Sequence, residues 1–391
     1  MRENPLFALH EQANAGYLPY GPEIQIIESF GEPEAEYAAI RKAAAIMDSP
    51  HRSVVELTGK DRLTFLQNLL TNDTKSLTAG RGCYAYLLNL KGRIVLDINV
   101  LHQEDSTLLE VDARLADGLC RTLDSYLFSD QVQIRNGAEA FGRVTIIGPD
   151  ASNILDTLAG KKNTADLSEP LQSCPTEILA HACTLFRNDQ CGEPQFELIV
   201  QRNALPALWT GLLDAANGEP ADTDFKPGMV KLRPIGWSAF NIARIEAGTP
   251  LLGIDLTDQN LPMETARWYT RAVHISKGCY LGQEVVARMH AHKAVARMLV
   301  GLKNPGDVPP VAGEPLRDGE TIVGAVTSSC MSPMLGNQAI AMAYVKKLYA
   351  EPGRVLTVYT PHGEVRTTVS PLPFWAAPET RNVGDSVKQR I

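Results

Sequence analysis

The sequence predicts an α+β protein: two α+β units followed by a C-terminal β-barrel. Three observations predict it. A strand–helix–strands–helix alternation runs over residues 53–127 and again over residues 142–216. From about residue 296, short strands follow one another between Gly, Pro and Asp turns with no helical period. The chain, at 391 residues, is also too long for one simple core. No clean internal repeat relates the two units, and one irregular α+β domain ahead of the barrel is the alternative. The expected division is 1–295, with an internal boundary near 140, and 296–391 for the barrel.

Taken in order, SVVELTG (53–59) reads as a strand, and the segment after it as a short helix with Leu63, Leu66, Leu69 and Leu70 on one face. CYAYLLN and RIVLDINVLH form a hairpin with Gly92 in its turn, and LLEVD (108–112) adds a strand. Asp112 is placed to cap a helix that repeats Leu115, Leu119, Leu123 and Leu127. GRVTIIG (142–148) is a strand, and ASNILDTLAG a helix closed by Gly160. Residues 161–176 read as a polar loop. HACTLFRN and QFELIVQ are strands, and ALPALWTGLLDAA a helix. The barrel strands are ARMLVGLK, TIVGAVTSSC, QAIAMAYV, RVLTVYT and EVRTTVS.

Composition narrows the function classes. Hydrophobic residues are 44% and charged residues 21%, an ordinary globular balance. A net charge of −8 opposes a broad nucleic-acid-binding field, so no direct nucleic-acid binding is expected. The N-terminus lacks a signal peptide's basic start and apolar run, and no stretch approaches the ~20 apolar residues of a membrane helix. A cytoplasmic protein is expected. Seven cysteines without a C-x-x-C pair predict reduced thiols and no resident cluster or zinc ribbon. His290 and His292, two apart, do not share a helix face, so no metal site is expected; His51 and His274 read as hydrogen-bonded structural histidines. Phosphate-loop and serine-elbow motifs are missing.

The segment 276–303 carries the chemistry. Gly278 and Gly282 bracket Cys279-Tyr280-Leu281, so the backbone there can turn tightly, and Gln283 opens a helix with Glu284 in its first turn. Lys277, Arg288, Lys293, Arg297 and Lys303 face one acid, Glu284, which predicts a local positive patch for a compact anion.

The string Lys277-Gly278-Cys279-Tyr280-Leu281-Gly282-Gln283-Glu284 resembles the signature of YgfZ proteins, within the glycine-cleavage T-protein superfamily. The likeness extends upstream. Arg244-Ile245-Glu246-Ala247-Gly248 is similar to the superfamily's R-L-E-A-G, with Gly253-Ile254-Asp255 beyond it. Leu261-Pro262-Met263-Glu264 stands for its T-P-x-E, Gly192 to Glu197 for its G-E-x-G-F-E, and Asp48 with His51 for its D-V-S-H. The resemblance implies two intertwined folate-binding α+β subdomains around a central cavity, plus the barrel.

It also implies tetrahydrofolate or a derivative as cofactor. Glu197 falls where the family's Glu grips the pterin, whose adjacent N–H and NH₂ suit a carboxylate. Asp97, Arg244, Gly278, Tyr280, Gln283 and Glu284 are further candidate folate contacts, and the family's stacking Tyr position reads Gln190. Counting from Gly92, the T-protein's first aspartate position reads Leu96, and a leucine moves no proton. That substitution favours an accessory role: a folate-binding protein supporting iron–sulfur cluster assembly or repair in client enzymes, including tRNA-modifying ones. A folate-dependent aminomethyltransferase or other one-carbon transferase is the second reading. Cys279, between two glycines and next but one to Lys277, is the candidate reactive thiol, with Lys277 beside it as a catalytic group and a buried packing cysteine as the alternative.

Overall fold

The computed structural model describes residues 4–161, 163–217, 232–292 and 295–381. Two sheets and a barrel form the frame. The first sheet orders Ser173–Ile178, His181–Arg187, Gln195–Gln201, Phe141–Ile147, Ala44–Asp48 and Leu232–Pro234. The second orders Gly82–Leu88, Ile94–His102, Ser106–Asp112, Arg52–Thr58 and Gln133–Asn136. The chain leaves the first sheet after Asp48, builds the second, and returns at Phe141, so the two units interleave.

Each sheet packs one face on helices, as strand alternation requires. Phe196, Leu198 and Val200 join Val144 and Ile146 in a core with Leu208, Trp209 and Leu212 of the helix Leu205–Asn217. Leu96, Ile98 and Val100 join Leu87, Leu109 and Val111 in a second core, against Phe65, Leu66 and Leu69 of Arg62–Leu69 and Leu119 and Leu123 of Ala116–Ser125. The opposite faces of the two sheets carry polar residues.

The expected barrel is present as six strands closed in the order Arg297–Asn304, Gln338–Lys346, Thr321–Ser332, Pro315–Asp318, Val355–Thr360, Gly363–Ser370. Its sixth member, Pro315–Asp318, was not among the expected strands: four residues with a proline and two charges show no alternation. Residues 161–176 also differ from a plain loop, because strand Ser173–Ile178 begins inside them. Asp112 does not cap its helix. It accepts hydrogen bonds from the Arg114 backbone and guanidinium and from the Tyr20 hydroxyl at 2.7 Å, which leaves Leu115 at the N-cap.

Barrel hydroxyls bonded to buried ion pairs fasten the barrel to the rest. Arg244 donates to Asn241, the Thr249 carbonyl, Asp255 and Ser328, while Ser328 and Thr327 donate to Asp255. Glu246, fully buried, accepts from Tyr37, from Arg41 at 2.5 Å and from barrel Ser332 at 2.5 Å.

Candidate functional site

Where the polar faces of the two sheets meet, register places the side chains. Tyr86 pairs with Asp97, Tyr84 with Asn99 and Asn99 with Glu110, so these residues share one face of the second sheet. Glu197 pairs with Thr145 on the first sheet, with Gln195 and Arg143 two residues along. Arg143 spans the gap. It ion-pairs with Glu110 of one sheet and donates to Glu197 of the other at 2.8 and 2.6 Å. Arg52 adds a two-pronged bond to Glu110 (2.5 and 2.7 Å), and Asn99 donates at 2.7 Å. Burial pushes the Glu110 carboxyl up, but Arg143 and Arg52 outweigh it and hold it at about 2.

Glu197, the candidate pterin ligand, lies in this network with 0% exposure. Besides Arg143, Thr145 donates to it at 2.5 Å and Gln195 at 2.7 Å, so both of its oxygens are engaged from inside the protein. Neither Arg143 nor Glu110 was singled out from the sequence. The available signal was an arginine in the middle of an apolar strand, two residues from Thr145. Arg52 and Arg143 also line a cavity of about 480 Å³ with Phe7, Tyr17, Ser53 and Phe141.

Asp97 differs from Glu197. Its Oδ2 accepts from the Tyr84 hydroxyl at 3.2 Å, while its buried Oδ1 has no partner. Burial raises its carboxyl above the ordinary range, against the pull of Arg52. Tyr84 packs edge-on against Tyr86 and Trp268, each at 5.4 Å, and Arg271 lies 4.9 Å from the Trp268 ring and 5.6 Å from that of Tyr84. Such a carboxyl can accept a ligand N–H or, protonated, hand over a proton. Leu96 points the other way, into the apolar core. A register shift between Leu87 and Leu88 bulges the strand around Val95, and Asp97 is the side chain on the polar face.

The segment 277–284 is split by its own fold. Lys277 turns inward, and its ammonium donates to the carbonyls of Gln67, Leu70 and Asn72 at 2.7, 2.5 and 2.8 Å, with burial lowering it to about 8. Its Nζ also lies 5.1 Å from the ring of Tyr280, which is buried. Gly278 and Cys279 point outward, and the exposed Cys279 thiol borders an open groove of about 380 Å³ with Phe65, Leu69 and Tyr126. Gly282 has φ +79°, and a Cβ there would come within 2.6 Å of the Asn89 carbonyl, so the loop rests on the Gly92 hairpin. Gln283 begins the expected helix, Gln283–His292, on which exposed Glu284 pairs with Arg288 at 2.7 Å.

Of the five basic residues of the expected positive patch, Lys277 is enclosed, Arg288 is paired with Glu284, and Arg297 bonds Glu264 and the Gln259 carbonyl, while Lys303 lies half-buried on the barrel strand Arg297–Asn304 and Lys293 lies outside the described residues. Arg244 is likewise taken up by the barrel junction. His51 is buried against Tyr20 and Trp237 with its Nδ1 unpaired, unlike the hydrogen-bonded histidine expected. Among the described residues, no helix is long and apolar enough to cross a membrane.

Comparison with known proteins adds the family. Residues 10–277 match the GCVT N-terminal domain, and residues 297–375 the glycine cleavage T-protein C-terminal barrel domain. The aminomethyltransferase of Corynebacterium aurimucosum is 30% identical over 95% of this chain and 97% of its own. That of Symbiobacterium thermophilum is 27% identical over 97% and 99%. The crystal structure of glycine cleavage system aminomethyltransferase T from Bartonella henselae aligns with a TM-score of 0.83 at 25% identity, over 95% of this chain and 97% of that one. These end-to-end likenesses to aminomethyltransferases overturn the expected accessory role in iron–sulfur assembly, and with it the expected iron–sulfur clients.

Proposed function

This chain belongs to the glycine-cleavage T-protein family, and from that premise we propose that it is a folate-dependent aminomethyltransferase or a close one-carbon transferase. Asp97 carries the reading. A buried carboxyl with a free oxygen, set beside Tyr84, Tyr86 and Trp268, suits a flat reduced pterin bearing N–H groups. Its raised protonation range suits a group that exchanges a proton with the reacting nitrogen. The string Lys277–Glu284 supports a YgfZ-type lineage within the family, and exposed Cys279 is a thiol open to reagents at its edge rather than part of the Asp97 cluster. Glu197 serves this site by holding Arg143, and so the two sheets, in place.

The test is tetrahydrofolate titration followed by one-carbon transfer from an aminomethyl donor, on the wild type and on Asp97→Asn. Tetrahydrofolate binding with a hundredfold or greater loss of transfer in Asp97→Asn is expected, from the usual scale of general acid–base catalysis, about 10²–10⁴. A wild type that does not bind tetrahydrofolate refutes the proposal. Full transfer by the variant refutes the role of Asp97.

A further inference from the structure

The cavity of about 480 Å³ lined by Arg52 and Arg143 has no part in the reading above. Its walls are mostly apolar. Phe7 and Tyr17, stacked with ring centroids 5.6 Å apart, line it together with Ile24, Val54, Phe141 and Leu205. The volume is that of a small-molecule site, which spans about 300–1,000 Å³. Strand order keeps the cavity apart from Asp97. In the second sheet the strand of Glu110 lies between those of Asp97 and Arg52, and Arg143 ties Glu110 to Glu197 across the gap between the sheets. This bonded layer stands between the two places.

Two polar groups in the lining are unfilled. Arg143 commits Nε, Nη1 and Nη2 to Glu197 and Glu110, but Arg52 bonds Glu110 through Nε and Nη2 alone. Among the described residues the Arg52 Nη1 donates to nothing, although the side chain is only 10% exposed. Ser53, also in the lining, keeps a buried hydroxyl without a partner. Enclosed donors left without acceptors are costly, so a ligand that supplies acceptors is favoured. The charged groups agree in sign. Arg52, Arg143 and Arg202 line the cavity against one acid, Asp48, which already accepts from Asn4 at 2.7 Å and is paired with His10 at 3.0 Å. Apolar walls with a free guanidinium edge suit a hydrocarbon body carrying one carboxylate. We propose that this cavity is a second ligand site, for a small apolar monocarboxylate of the arylalkanoate kind, held by Arg52 and distinct from the Asp97 site.

Calorimetric titration with 3-phenylpropionate and 3-phenylpropanol, which share a hydrocarbon body but not a carboxylate, tests this on the wild type, Ala8→Trp and Arg52→Gln. Ala8 lines the cavity from an exposed position on the helix Phe7–Gln12, so enlarging it fills the space without entering a core. The acid should bind the wild type about tenfold or more tightly than the alcohol, the scale of one charge-assisted bond. Arg52→Gln should abolish that preference and leave the alcohol's affinity in place, and Ala8→Trp should weaken both ligands by about tenfold or more. A wild type that does not bind the acid, or binds acid and alcohol alike, overturns the proposal. So does unchanged binding in Ala8→Trp. Arg52 also belongs to the buried network, so urea midpoints report any unfolding of its variant, and Ala8→Trp then decides alone. Tetrahydrofolate should bind equally with and without the acid; displacement of one by the other puts the acid in the Asp97 site and refutes a second one. A chain that binds the acid but not tetrahydrofolate loses the folate reading and keeps this one.

Discussion

Removing Arg143 tests whether the buried network holds the two sheets together. Arg143→Met leaves Glu110 with Arg52 and Asn99, and leaves Glu197 with Thr145 and Gln195 but no cation. Breaking a buried pair from one side costs about 3–5 kcal/mol, because a charge stays behind without its partner. The electrostatics agree in scale. Holding Glu110 at about 2 rather than 4.5 is worth about 3 kcal/mol, a contribution Arg143 shares with Arg52. The sign follows from the direction of that displacement. A carboxyl whose folded value is depressed stabilises the fold above its unfolded value, near 4.5, and the contribution disappears as pH falls toward 2. Urea unfolding at pH 7, followed by tryptophan fluorescence, reads the loss. With a slope of about 3 kcal/mol/M, the midpoint should fall by about 1 M or more. Arg143→Met combined with Glu197→Leu should regain part of it, since the stranded carboxylate is gone. A fall below about 0.3 M in the single variant, or no recovery in the double, would falsify the network as a stabilising device.

Other perturbations probe separate features. Burial lowers His51 to about 3 against an ordinary 6.5, so the unfolded chain binds the extra proton between those values and stability falls as pH drops through them. His51→Phe should flatten that part of the pH–stability curve, and an unaltered slope would count against a neutral buried imidazole. Lys277→Met strands three carbonyls and should destabilise by about 2–4 kcal/mol in urea, with Lys277→Arg no better because a planar fork cannot fill a three-point cage. Under a limiting alkylating reagent, Cys279 should label first by mass spectrometry, well ahead of Cys83, which burial pushes up to about 12, and of buried Cys191. Labelling of Cys83 or Cys191 at the same rate would contradict the exposed position of Cys279.

The barrel and most strands were legible because each rests on a local pattern: a short apolar run in Gln338–Lys346, or a glycine turn at Gly92 between two apolar runs. Pro315–Asp318 was not, since its place comes from neighbours on both sides. At the site, legibility stopped at side-chain direction. Leu96 and Asp97 are adjacent in sequence and opposite in space, and a bulge one residue earlier decides which faces the polar interior. Lys277 and Cys279 were read as partners from proximity along the chain, yet the loop sends one inward to three carbonyls and the other to solvent. Arg143 carried no motif. Its significance lies in the two carboxylates it joins, Glu110 and Glu197, which sit on strands distant in sequence.

The junction at Arg244, Glu246 and Asp255 has a consequence for the order in which the chain is made. Glu246 and Asp255 leave the ribosome well before Ser328 and Ser332, which lie 84 and 86 residues beyond Arg244 and Glu246. At about 5–20 residues per second, the gap is roughly 4–17 s. During it the two α+β units can pack, but Asp255 lacks both of its barrel hydroxyls and Glu246 lacks Ser332. A nascent chain at that stage presents half-satisfied acids where the barrel will dock. The barrel strand Thr321–Ser332 therefore closes a seam left open by the helix Trp237–Glu246 and the turn after it, and a stall in translation between residues 255 and 332 exposes it to proteases and chaperones.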